Sequence, residues 1–212
     1  MKKKAVIFDL DGVICSTDHF HYLAWKTIAD QEGIYFDEVI NNRLRGISRL
    51  DSLDIILEKA KKEYSKEEKL SLAEKKNNIY RELLKNMTEE DVTEDVRYTL
   101  KELKNRGYLI AIGSASKNTK FILERIGLIN AFDEIVDGTM ITHSKPDPEV
   151  FLKAASLLSL TAEECYVVED AKAGIEAGYR GGFTTIGIQD AKDYIHTDYG
   201  IDDLSDVLKL IQ

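Results

Sequence analysis

Asp9 and Asp11 stand two residues apart at the end of an apolar run, within the stretch AVIFDLDGVICST at residues 5–17. On an extended chain, residues i and i+2 point to one side, so both carboxylates face the same way with Leu10 opposite. An Asp-Gly pair after a strand often does no more than turn the chain. Two carboxylates beside buried residues are a costlier arrangement, because like charges repel and lose water together. A divalent cation is the natural compensation, and an oxygen-rich site suits Mg²⁺.

Three further stretches carry comparable groups. GSASKN at residues 113–118 offers Ser114, Ser116, Lys117 and Asn118, with hydroxyls and backbone N–H groups at a helix start. Such a start can seat an anion. SKPDP at residues 144–148 holds Lys145 next to Pro146, which biases the lysine towards extended backbone. CYVVED at residues 165–170 ends in Glu169 and Asp170. Each has a plainer reading taken alone: a serine cap, a surface lysine, and Asp170 as the N-cap of the following helix. Together they supply a nucleophile, a metal site and a phosphate cradle.

The elements that must position these groups are legible in the pattern. Short β-rich runs cover residues 4–11, 108–116, 131–138, 164–170 and 184–188. They are nearly continuous apolar runs, as expected of strands buried on both faces of a parallel sheet. Between them, residues 95–107 and 117–127 space their apolar positions helically and stop at Gly107 and Gly127. Residues 147–160 open with Asp147 as N-cap and Pro148 at the first helical position. This alternation predicts an α/β fold with a doubly wound parallel sheet. Each of these motifs falls at a strand's carboxyl end, where ligands bind in such sheets.

Residues 16–92 break the alternation with a long, almost purely helical stretch. Two of its segments begin with a serine followed three residues later by an acid, Ser48 with Asp51 and Ser65 with Glu68. The expected organisation is a catalytic core of residues 1–15 and 93–212 with a helical cap domain, 16–92, inserted after the first strand.

The totals narrow the function. The chain has 212 residues, 43% of them hydrophobic and 32% charged, enough for one sizeable domain or a domain with a smaller partner. A net charge of −9 argues against a general nucleic-acid or anionic-membrane binder. Cys15 and Cys165 are far apart and fit reduced, packing thiols. No apolar run approaches the ~18 residues of a membrane span. The basic MKKK start meets Asp9 too soon to be a secretion signal. A cytoplasmic monomer is expected.

DLDGV, GSAS, SKPDP and VVEDAKAGIEAG, in this order, resemble the four motifs of the haloacid dehalogenase superfamily across the whole chain. HFHYLAW, LRGISRLDSL, KKNNIY and SASKN narrow the resemblance to its members that interconvert β-glucose 1-phosphate and glucose 6-phosphate. The resemblance implies a Rossmann-like core with a cap and an isomerase running through an aspartyl phosphate and β-glucose 1,6-bisphosphate. Asp9 would be the nucleophile. Asp11 would be the general acid and base. Mg²⁺ would be held by Asp9, Glu169, Asp170 and the backbone carbonyl of Asp11. Ser114 and Lys145 would stabilise the moving phosphoryl group. Arg49, Ser116, Lys117 and Asn118 would hold the sugar's second phosphate, with Gly46 and Ile47 lining the sugar pocket by backbone. His21 and Lys76 would help bring Asp11 into place on closure, with Thr17 at a hinge. Arg45 departs from the lysine usual in that branch. His19, His143 and His196 match no motif. The rival readings are a sugar-phosphate phosphatase with the same core residues and a non-catalytic sensor, which the intact Asp9 and Asp11 oppose.

Overall fold

The computed structural model describes residues 3–44 and 47–211. Among the described residues, the sheet has six strands, all parallel: β1 Ala5–Phe8, β2 Leu109–Gly113, β3 Glu134–Val136, β4 Cys165–Glu169, β5 Thr184–Ile188 and β6 Tyr199–Ile201. Their order is β3-β2-β1-β4-β5-β6. The chain therefore winds outward in one direction from β1 to β3 and in the other from β4 to β6. The crevice between β1 and β4 is the switch point at which open α/β sheets bind ligands. All four residues of β1 are fully buried, as its unbroken apolar run requires.

The chain divides into two compact units, residues 1–16 with 87–212, and residues 17–86. The first holds the sheet and the helices α5 Glu94–Asn105, α6 Thr119–Arg125, α7 Glu149–Leu157, α8 Lys172–Arg180 and α9 Val207–Leu210. The second holds α1 Asp18–Gln31, α2 Glu38–Asn42, α3 Arg49–Leu57 and α4 Lys66–Leu84. Its own core joins Trp25, Ile28, Leu53, Ile56, Leu72 and Ala73. Ser65 and Glu68 close a full capping box at the start of α4. Ser48 caps α3 through the Asp51 N–H. Gly107 and Gly127 follow α5 and α6 with φ of +81° and +72°, the left-handed turn-off for which glycine is suited.

Three local expectations are corrected. α7 begins at Glu149, with Pro148 as its N-cap. Asp147 still accepts the Glu149 N–H at 2.9 Å, so it anchors the start from one residue further out. Asp170 does not cap α8. The N-cap is Ala171, and the Ala171 N–H is taken by Glu169 instead. β6 is a strand that the pattern left out, because Tyr199 and Gly200 are exposed on the sheet edge and carry no apolar run.

Candidate active site

β1 ends at Phe8, and the Asp9 N–H extends its ladder by one bond to the Val168 carbonyl at 3.0 Å. Beyond it the chain turns sharply: the Ile14 and Cys15 N–H groups both donate to the Leu10 carbonyl. Leu10 is buried in the core, Asp9 is 8% exposed and Asp11 is half-buried. Glu169 is the last residue of β4, next to β1 in the sheet, and is fully buried. Adjacent strand ends thus place Asp9, Glu169 and Asp170 together, with one oxygen from each within 4.8 Å of the others.

Lys145 enters this group from the loop before α7. Its Nζ donates to Asp9 Oδ1 at 2.5 Å and also to Glu169 Oε1. It lies 4.7 Å from the centre of the Phe151 ring. Lys145 is not a surface lysine, since its side chain is only 10% exposed. The Lys145–Pro146 peptide is cis. Burial alone would lower the Lys145 ammonium, but Asp9 and Glu169 carry it above the usual lysine range. It stays charged.

The carboxylates are crowded. Burial pushes Glu169 upward against the pull of Lys145. Burial, then the charges of Glu169, Asp9 and Asp11, pushes Asp170 up to about 8. One lysine does not balance this many acids. Added positive charge fits here, and donors that are all oxygen suit a hard divalent cation. The backbone is shaped to admit the acids: a Cβ on Gly174 would lie 1.9 Å from Glu169 Oε1, and one on Gly12 would lie 2.1 Å from Asp170 Oδ2.

Ser114 follows β2 and is buried, with its Oγ accepting the Ser116 N–H at 3.2 Å. Ser116 Oγ accepts the Asn118 N–H at 3.2 Å. The loop's hydroxyls therefore hold two of the N–H groups that the sequence offered to an anion. Asn118 is buried, while Lys117 is exposed. The thiol of Cys15 is driven far above its usual range by burial and by the Asp11 and Asp9 charges, and burial raises Cys165 to about 11. Both are inert packing residues.

In the second unit, Lys76 lies on the buried face of α4 with Leu72, Ala73, Tyr80 and Leu84. Its Nζ sits 2.7 Å from His21 Nδ1. It also lies 5.0 Å and 4.5 Å from the ring centres of Trp25 and Tyr80. Burial, then the charges of Lys76 and Arg49, holds His21 well below the usual imidazole range. His21 is neutral, and its Nδ1 accepts from the ammonium. The Tyr80 hydroxyl donates to Thr17 Oγ1 at 2.9 Å. Arg49 opens α3 and is half-buried, and Ile47 is 41% exposed. Gly46 and Arg45 lie outside the described residues.

Two groups at these sites escaped the sequence reading. Trp25 and Tyr80 cradle Lys76. The four-residue steps from His21 to Trp25 and from Lys76 to Tyr80 were the available signal. Glu149 ties down the loop that carries Lys145. It accepts the His143 N–H at 2.7 Å and the Thr142 N–H at 3.0 Å, and these bonds pull it down to about 2. Nothing in the sequence marked that role.

Residues 6–188 match the family model of the haloacid dehalogenase-like hydrolases, and the chain belongs to that family. Within it, the chain is 41% identical over 206 residues to the β-phosphoglucomutase of Bacillus subtilis, covering 96% of this chain and 91% of that one. The crystal structure of β-phosphoglucomutase from Clostridium difficile superposes with a TM-score of 0.88 at 37% identity, covering 97% of this chain and 93% of that one. The phosphorylated carbohydrates phosphatase of Thermotoga maritima is 30% identical over 186 residues, covering 86% of this chain and 83% of that one.

Proposed function

We propose that this protein interconverts β-glucose 1-phosphate and glucose 6-phosphate by way of a phosphoryl group carried on Asp9. The observation that supports this best is Asp9 itself, held between Lys145 and the Glu169–Asp170 pair in a chain so similar to a mutase. Asp9 attacks phosphorus, and the sugar oxygen leaves with a proton from Asp11. In the return half reaction, Asp11 takes the proton from the attacking hydroxyl. Lys145 and Ser114 stabilise the phosphoryl oxygens as charge develops on them. The sugar's other phosphate is assigned to Arg49, Ser116, Lys117 and Asn118. Thr17, His21 and Lys76 serve closure, which favours a sugar hydroxyl over water. The backbone of Ile47 contacts the sugar.

Asp9, Glu169, Asp170 and the Asp11 carbonyl would hold Mg²⁺, which supplies charge neutralisation for the transferring phosphoryl group. The raised value of Asp170 gives a sign that can be checked. A carboxyl raised in the fold stabilises it below the ordinary carboxylate pKa, and that contribution fades as pH rises towards 8. Metal binding must displace the proton, so at pH 7 Mg²⁺ is expected to release roughly one proton per ion. Titration calorimetry in buffers of different ionisation enthalpy measures this. Binding with no proton release would mean that Asp170 is already ionised.

The function itself is tested with Mg²⁺, β-glucose 1-phosphate and a trace of glucose 1,6-bisphosphate, following glucose 6-phosphate and free phosphate together. Glucose 6-phosphate with little free phosphate is expected. Stoichiometric free phosphate would instead make the protein a sugar-phosphate phosphatase, as the Thermotoga relative is named.

A further inference from the structure

We infer that Gln189 is a positioning residue for the acid–base carboxylate, pinning the glycine that follows Asp11. The inference rests on the reading that Asp9 and Asp11 perform the chemistry. Gly12 is the freest residue of the turn, because it lacks a Cβ. It cannot be replaced by a stiffer one: its φ is +86°, and a Cβ would collide with the Asp170 carboxylate. The turn must therefore be held through its flanking peptides.

Two bonds do this, one on each peptide plane flanking the Gly12 Cα. The Asp11–Gly12 plane is fixed by the Gly12 N–H, which donates to the Cys15 carbonyl at 2.8 Å. The next plane is fixed by Gln189, whose side-chain Nε2 donates to the Gly12 carbonyl at 2.7 Å. A carbonyl only accepts, so the amide nitrogen must face it. With both planes tied, neither backbone dihedral of Gly12 can drift, and the Asp11 carboxylate is aimed from a fixed base.

The donor stands on a stiff mount. Gln189 follows β5, two strands from β1 in the sheet. Its φ is +54°, a conformation that residues with a Cβ avoid. The 3₁₀ turn of residues 189–191 holds it there, with the Lys192 N–H donating to the Gln189 carbonyl at 3.2 Å. Ala191 is fully buried, and its carbonyl accepts the Thr197 hydroxyl at 2.7 Å. Glycine would fit the dihedral more easily, yet only a long side chain with an N–H reaches Gly12.

The test compares Gln189→Met, which keeps length without a donor, with Gln189→Gly, which relieves the backbone. Hydrogen exchange of the peptide spanning residues 10–15 is read first, because it needs no substrate. Both variants are expected to exchange about tenfold faster there, with melting temperatures near that of the unsubstituted protein. In the sugar-phosphate assay, both should lose about tenfold in kcat with KM changed less than about twofold, since small misplacement of a reacting group acts on the chemical step. Unchanged exchange in both variants, or kcat retained in either, overturns the inference. An unsubstituted protein that turns over no sugar phosphate would overturn the functional reading instead. Exchange would then still decide whether Gln189 pins the turn.

Discussion

Asp9→Asn is expected to lower turnover by about four orders of magnitude or more while leaving the fold intact. Loss of a covalent nucleophile typically costs this much, because no other group can take over its step. Asparagine keeps the shape of aspartate and its backbone bond to Val168. It also removes one of the charges that raise Glu169 and Asp170. Melting temperature should therefore hold or rise as activity vanishes. Intact-mass analysis after incubation with glucose 1,6-bisphosphate should show a phosphoryl group on the unsubstituted protein and none on the variant. Phosphorylation of the variant would place the nucleophile elsewhere.

Lys145→Met should damage both activity and stability. Lys145 is the charge that Asp9 and Glu169 share. Removing one partner of a buried pair leaves uncompensated charge, which costs about 3–5 kcal/mol. The loss of the cation facing the phosphoryl oxygens should lower kcat by about 10²–10³-fold. The stability deficit should shrink as the solution is acidified, because Glu169, raised by its burial, then takes up a proton. Denaturant unfolding at several pH values reads this directly. A deficit independent of pH would show that the bulk of the lysine side chain matters more than its charge.

Most of what places the site was written in local pattern. The apolar runs ending in Asp9 and Glu169 could be read because a strand buried on both faces has no polar positions to confuse the signal. Gly107 and Gly127 marked helix ends because the left-handed turn demands a residue type. β6 escaped because an exposed edge strand carries no such run. Asp170 was open to misreading as a cap because aspartate serves both uses, and only the fold shows Glu169 taking the Ala171 N–H. Lys145 could have been any surface lysine. Its partners are 136 and 24 residues away, and no local pattern records such a meeting. Gln189 is the extreme case, reaching a residue 177 positions distant.

The position of β1 at the middle of the sheet has a consequence for how the chain is made. Ala5 pairs with Leu109 on one side and Cys165 on the other. Of the six strands the central one is thus made first, and both of its neighbours follow only in the second half of the chain. Residues 17–86, which hold a core of their own, emerge complete in the interval. Synthesis therefore favours an order in which the insert gathers first and the nucleophile's strand waits, its apolar run exposed, until the second half of the chain closes around it.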